Sequence, residues 1–114
     1  MFKGEKRAVL SSDGESITFE VEEPLGFAYD LKSPIESRLE EGYITEKEIV
    51  KTTKGNYILR IGHYLEGEDR KTIENVYHVC FDMEDLIEEL DDTCPLERIL
   101  LVKLDALESK SQEV

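Results

Sequence analysis

The densest chemistry in this sequence is acidic. Asp82, Glu84, Asp85, Glu88, Glu89, Asp91 and Asp92 fall within eleven residues that contain no Lys or Arg. Among them, Met83, Leu86, Ile87 and Leu90 recur at i, i+3, i+4 and i+7. That spacing predicts a helix over 83–92 with its apolar stripe turned inward and its carboxylates outward. Asp82 is the expected N-cap, with Asp85 at N3. No cation stands four residues away to neutralise the outer face, and Asp91 and Asp92 sit at the end where the helix dipole disfavours anions.

A patch of one sign steers encounter with a surface of the opposite sign. Glu84, Asp85, Glu88, Glu89, Asp91 and Asp92 are therefore the expected docking residues for a basic protein partner. The plainer reading of the same residues is a solvated face that keeps the protein soluble. A narrower form of docking is mimicry of nucleic acid, with spaced carboxylates standing in for phosphates. Calcium fits poorly, because no D-x-D-x-D-G loop with a following Glu is present.

Other reactive residues are sparse. His78 and Cys80 alternate on one predicted strand and Cys94 follows the acidic helix, but no C-x-x-C or other paired spacing supports a zinc site. No metal and no cofactor is expected. G-x-S-x-G, H-E-x-x-H and phosphate-binding glycine loops are absent, and the acids beside Cys94 disfavour its thiolate. Nothing in the spacing of the 27 Asp and Glu marks an acid/base pair. Enzymatic activity stays open, with the residues weighing against it. Tyr64, on the strand face shared with Arg60, is a further candidate interface residue.

Composition narrows the classes further. In 114 residues, 14 Lys and Arg oppose 27 Asp and Glu, a net charge of −13. The acid is concentrated in the second half: residues 1–54 carry 8 basic and 12 acidic groups, residues 55–114 carry 6 and 15. Direct nucleic-acid binding and anionic membranes are disfavoured by sign. The longest apolar run, Ile99 to Val102, is far short of a membrane span. Charges at Lys3, Glu5, Lys6 and Arg7 occupy the place of a signal peptide's apolar region, so a cytoplasmic location with two reduced thiols is expected. Leu, Ile, Val and Phe make up 33 of the 114 residues, enough for one folded domain.

The elements that must position these residues begin with a hairpin. Ser11-Ser12-Asp13-Gly14 has turn chemistry, and Ile17, Phe19 and Val21 alternate with polar residues. Pro24 is expected to close it, leaving 25–31 as a connection or short strand. Ser33-Pro34-Ile35-Glu36 forms a capping box that predicts a short helix ending at Gly42. Segment 44–53 supports a helix capped by Thr45 and Glu48, or a strand rich in β-branched residues that turns at Lys54-Gly55-Asn56. The strand is preferred.

Strands are predicted over 57–65 and 72–82. Gathering apolar residues on one face pairs Tyr57, Leu59 and Ile61 with Ile73, Tyr77, Val79 and Phe81, and turns Arg60, Glu74 and His78 to the other. The run 98–104 reads as a strand buried on both faces, with helix as the alternative and a parallel crossover as one consequence. The expected fold is α+β: a single small domain over 1–105, a mainly antiparallel sheet of four to six strands with two short helices packed on one side, and a frayed acidic tail over 106–114.

The function expected from this reading is a small cytoplasmic binding or regulatory module that works through protein–protein contact. Two other classes remain: a small enzyme or ligand-binding domain with a pocket between sheet and helices, and a structural protein that self-associates, for example as a homodimer.

Overall fold

The computed structural model describes residues 1–33, 42–66 and 71–106. Five strands form one antiparallel meander: β1 (Lys6–Leu10), β2 (Ser16–Lys32), β3 (Tyr43–Thr52), β4 (Tyr57–Leu65) and β5 (Lys71–Cys80), lying side by side in chain order. Two helices follow, α1 (Met83–Glu89) and α2 (Pro95–Lys103). The chain is a small α+β domain, as its sequence predicts. The helix expected between Ser33 and Gly42 falls on residues 34–41, outside the described residues.

Glycine sets both clear turns. Gly14, at φ +83°, closes the β1–β2 hairpin, its amide bonded to the Ser11 carbonyl at 2.9 Å. Gly55, at φ +89°, closes β3 onto β4, its amide reaching the Thr52 carbonyl at 3.0 Å. Left-handed backbone of this kind costs glycine little and other residues more. Segment 44–53 is accordingly a strand.

Pro24 does not end β2, which runs on to Lys32. β1 pairs only with Ser16–Glu20, so beyond that point β2 has β3 as its neighbour on one side alone. Register shifts between Val21 and Glu23 and between Pro24 and Gly26 absorb the irregularity. A proline is tolerated at such a one-sided, bulged position because no ladder bond is asked of its nitrogen.

Both faces of the sheet carry a core. On one, Ala28, Ile49, Leu59 and Cys80 pack against Leu86, Leu90, Leu100 and Leu101 of the helical region. On the other, Val21, Val50, Ile58 and Tyr77 are covered by Val9, Ile17 and Phe19 of the first hairpin. The sheet curls far enough for the hairpin end to meet β5: Ser11 bridges Tyr77, and the Ser12 amide donates to the Tyr77 carbonyl at 2.8 Å.

This double burial overturns the register expected for β4 and β5. Leu59 pairs with His78 and Arg60 with Tyr77, so Tyr77 shares the face of Arg60 while His78 shares that of Leu59 and His63. Gathering apolar residues on one face fails because each face has apolar cover of its own. Ile73 has no partner at the irregularity between His63 and Tyr64, and it is half exposed.

Segment 98–104 is also corrected, from strand to helix. Pro95 stands at the first helical position, Glu97 lies in the first turn and Lys103 in the last, all matched to the helix dipole. The apolar run splits as a helix requires: Leu100 and Leu101 are buried, Ile99 and Val102 exposed. With no last strand, there is no parallel crossover. Asp105, at φ 56°, and Ala106 close α2, the Ala106 amide reaching the Leu101 carbonyl at 2.9 Å. Ala106 is thus part of the core rather than of a frayed tail, while 107–114 lie outside the described residues.

Candidate functional site

α1 spans seven residues rather than the ten predicted. Asp82 caps it as expected, its carboxylate accepting from the Asp85 amide at 2.8 Å. Leu86 and Leu90 are buried, which turns Glu84, Glu88 and Glu89 to solvent and leaves Asp85 half-buried. Among the described residues, Glu84, Asp85 and Glu89 form no ion pair. Asp91 and Asp92 lie past the helix. Asp91 builds the next turn, accepting from the Thr93 amide at 2.9 Å and the Thr93 hydroxyl at 2.7 Å. Asp92 is half-buried beside it. Of the six expected docking residues, the helix therefore brings together four.

Beside those four lies a recess of about 440 Å³, lined by Val79, Cys80, Phe81, Asp85, Glu88 and Glu89. Phe81 stands at its rim with 77 % of its surface exposed. The Cys80 thiol is buried, and burial, with the charges of Glu89, Asp85 and Asp82, pushes it up to about 11. It is a poor nucleophile at neutral pH.

His78, Cys80 and Cys94 do not assemble. Among the described residues no three His, Cys, Asp or Glu side chains form a metal-holding group. Cys94 instead caps α2 from a position near Lys47, whose ammonium bonds Glu97 at 2.7 Å and approaches the Cys94 sulfur at 3.7 Å. Burial pushes the Glu97 carboxyl up, but bonds from Lys47 and Cys94 and the Lys47 charge outweigh it and hold the carboxyl below its ordinary value. His63 stacks on Tyr43 with ring centres 5.6 Å apart and meets the Thr45 hydroxyl at 3.2 Å.

The opposite face of the sheet holds a polar network that the sequence reading passed over. Arg60, 6 % exposed, donates through Nε to Glu48 and through Nη2 to Glu46 at 3.1 Å. Its Nη1 reaches the Tyr64 hydroxyl at 2.7 Å and Asn75 Oδ1 at 2.9 Å. The N-terminal ammonium of Met1 bonds the other Glu48 oxygen at 2.9 Å. Burial disfavours the guanidinium's charge, but the bond and charge of Glu48, then Glu46, outweigh it and hold Arg60 firmly protonated. Alternation was the available signal: Glu46 and Glu48 share one face of β3, and Arg60 and Tyr64 share one face of β4. Recognising it required the register that pairs Glu48 with Arg60. Tyr64, half-buried, is thus bound into this network through its hydroxyl.

Over this network opens a cavity of about 800 Å³ that extends past the free edge of β2. Its wall includes Arg7, Arg60, Lys103, Glu48 and Asn75, with Phe2, Leu25 and Phe27 as apolar surface. The centre of the interface between sheet and helices is filled by the packed leucines of the core, and both openings lie at its margins, one between β5 and α1 and one beside β2 and Lys103 of α2.

No family model, curated protein or solved structure matches this chain. Among the described residues, no helix is long and apolar enough to cross a membrane.

Proposed function

We propose that this protein is a small cytoplasmic binding module that acts by contact with a basic protein partner, through the surface made by Phe81 and the acidic residues of α1. The observation that carries this reading is the exposure of Phe81 beside Asp85, Glu88 and Glu89. A large aromatic ring held in water next to three carboxylates suits a Lys or Arg side chain, whose cation meets the carboxylates while its stem and charge lie against the ring. Unlike a simply solvated face, such a surface has an apolar anchor inside its charged rim, the usual anatomy of an interface. Glu84 extends the same charged face along the helix. Regulation of the partner would follow from occupying its basic surface.

The test compares the full chain with a Glu84→Lys, Glu88→Lys, Glu89→Lys variant and with Phe81→Ser, each immobilised and exposed to source-cell lysate at low salt. The expected result is one stoichiometric basic protein retained by the parent, lost from both variants and released as salt screens the charges. Equal retention by parent and charge-reversed protein, or retention indifferent to salt, would overturn the reading.

A further inference from the structure

We infer that the cavity over the Arg60 network is a binding site for a small organic anion with an apolar body. The first ground is polarity. In a chain of net charge −13, this wall carries three cationic side chains, Arg7, Arg60 and Lys103, against one carboxylate, Glu48; Arg60 is paired with Glu46 and Glu48 and Arg7 with Glu5, while Lys103 forms no ion pair among the described residues.

The second ground is the direction in which the network presents its hydrogens. A guanidinium can only donate, so the Asn75 oxygen must face Arg60. Tyr64 donates to the same oxygen at 3.2 Å. With Oδ1 taken twice, the exposed side-chain amide of Asn75, which lines the cavity, keeps its two N–H groups without a bond to another described residue. Lys103 spends one of its three hydrogens on the Phe27 carbonyl. Arg7, tied to Glu5 through Nε and to the Tyr77 hydroxyl at 3.0 Å through Nη1, keeps its Nη2 side. The hydrogens left on Asn75, Lys103 and Arg7 are all donors, and donors gathered along one wall favour an acceptor-only anionic group.

The third ground is the apolar remainder of the wall. Phe2, Leu25 and Phe27 supply surface for a hydrocarbon or aromatic body, and about 800 Å³ of open space gives room for a small organic ligand to lie against them. Carboxylates and sulfonates on an apolar ring or chain meet both requirements. An inorganic anion would leave the apolar wall wet, and a neutral hydrophobe would leave the donors unpaired.

The probe is 8-anilinonaphthalene-1-sulfonate, titrated by fluorescence into the full chain beside its uncharged counterpart N-phenyl-1-naphthylamine. The sulfonate is expected to bind about tenfold more tightly than the uncharged probe, the effect of one hydrogen bond to a charged group. It is also expected to shift the Asn75 side-chain amide resonances in a ¹H–¹⁵N spectrum. Asn75→Asp retains the acceptor for Arg60 while replacing the free donors with charge, and is expected to weaken sulfonate binding about tenfold or more with little effect on the uncharged probe. Lys103→Gln, on an exposed side chain, keeps the test decisive should the first variant not fold. Equal affinity for the two probes, or sulfonate binding unchanged in Lys103→Gln and in a folded Asn75→Asp, would overturn the inference. The site lies apart from Phe81 and α1, so its success or failure does not depend on the docking surface.

Discussion

Arg60 lies across Gly62 on the same strand face. A Cβ at position 62 would come within 2.6 Å of Arg60 Nη1, 2.8 Å of the Tyr64 hydroxyl oxygen and 2.9 Å of Asn75 Oδ1. The missing side chain is what allows the guanidinium to turn along β4 toward Tyr64 and Asn75 while its Nε still meets Glu48 across the ladder.

Gly62→Ala is therefore expected to push these three side-chain ends apart and destabilise the protein by about 1–3 kcal/mol, measured by urea unfolding. The same change made in an Arg60→Met background should cost much less, because the group it displaces is gone. Additive costs in the double variant would refute the proposed crowding.

Removing the guanidinium takes from Glu46 and Glu48 the cation they share, in a largely buried setting. Arg60→Met should cost about 3–5 kcal/mol, the usual penalty for breaking a buried pair. Adding Glu46→Gln and Glu48→Gln should recover part of that loss, since the two carboxylates that lost their shared cation are then neutral. A triple variant no more stable than Arg60→Met would show that lost packing, not charge, sets the cost.

The Lys47–Glu97 pair ties β3 to the start of α2 at 2.7 Å, with both side chains 13 % exposed. The Glu97 carboxyl is held below its ordinary value in the folded protein, so at pH above the ordinary carboxyl range the pair contributes in full. As pH falls, the unfolded chain takes up the proton first, and the contribution is lost as pH drops through the lowered value of Glu97. Glu97→Gln should thus cost about 1 kcal/mol at neutral pH and nothing once the parent carboxyl is protonated. Unfolding curves collected across the acid range would display the two stabilities converging, and a gap constant with pH would count against the pair.

The two thiols should differ in reactivity. Cys80 is 2 % exposed, with its thiol pushed up to about 11 by burial and by Glu89, Asp85 and Asp82, whereas Cys94 is half-buried at the start of α2. Iodoacetamide at neutral pH is expected to label Cys94 first and Cys80 only on unfolding, read by mass spectrometry of peptides. Prompt labelling of Cys80 in the folded protein would contradict this placement.

Much of the fold was legible because local chemistry and tertiary demand agree there. Gly14 and Gly55 occupy turns that need left-handed backbone, the β-branched density of 44–53 settles on strand, and Asp82 caps the helix whose stripe holds Leu86 and Leu90. Legibility ended where two local readings are equally sound. Ile99 to Val102 is continuous and apolar, and only packing against the sheet divides it into an inner pair, Leu100 and Leu101, and an outer pair, Ile99 and Val102. Acidic α1 was visible as charge, yet its length was not, because Asp91 bonds Thr93 and builds a turn instead of another helical residue.

By itself the sequence determined the class of the molecule: one acidic α+β domain, the glycine turns at Gly14 and Gly55, the Asp82 cap and the patch of negative charge on α1. These depend on residue type and short spacing, which act within a few residues. Tertiary structure decided the register of β4 on β5, and with it the whole Arg60 network. A one-residue slip exchanges the two faces of a strand, and the choice between faces depends on what covers each of them. Here the first hairpin, far from β5 in sequence, covers the second face with Val9, Ile17 and Phe19, so Tyr77 turns toward it and Arg60 is enclosed beside Glu48. No local pattern contains that information, because the cover arrives from another part of the chain.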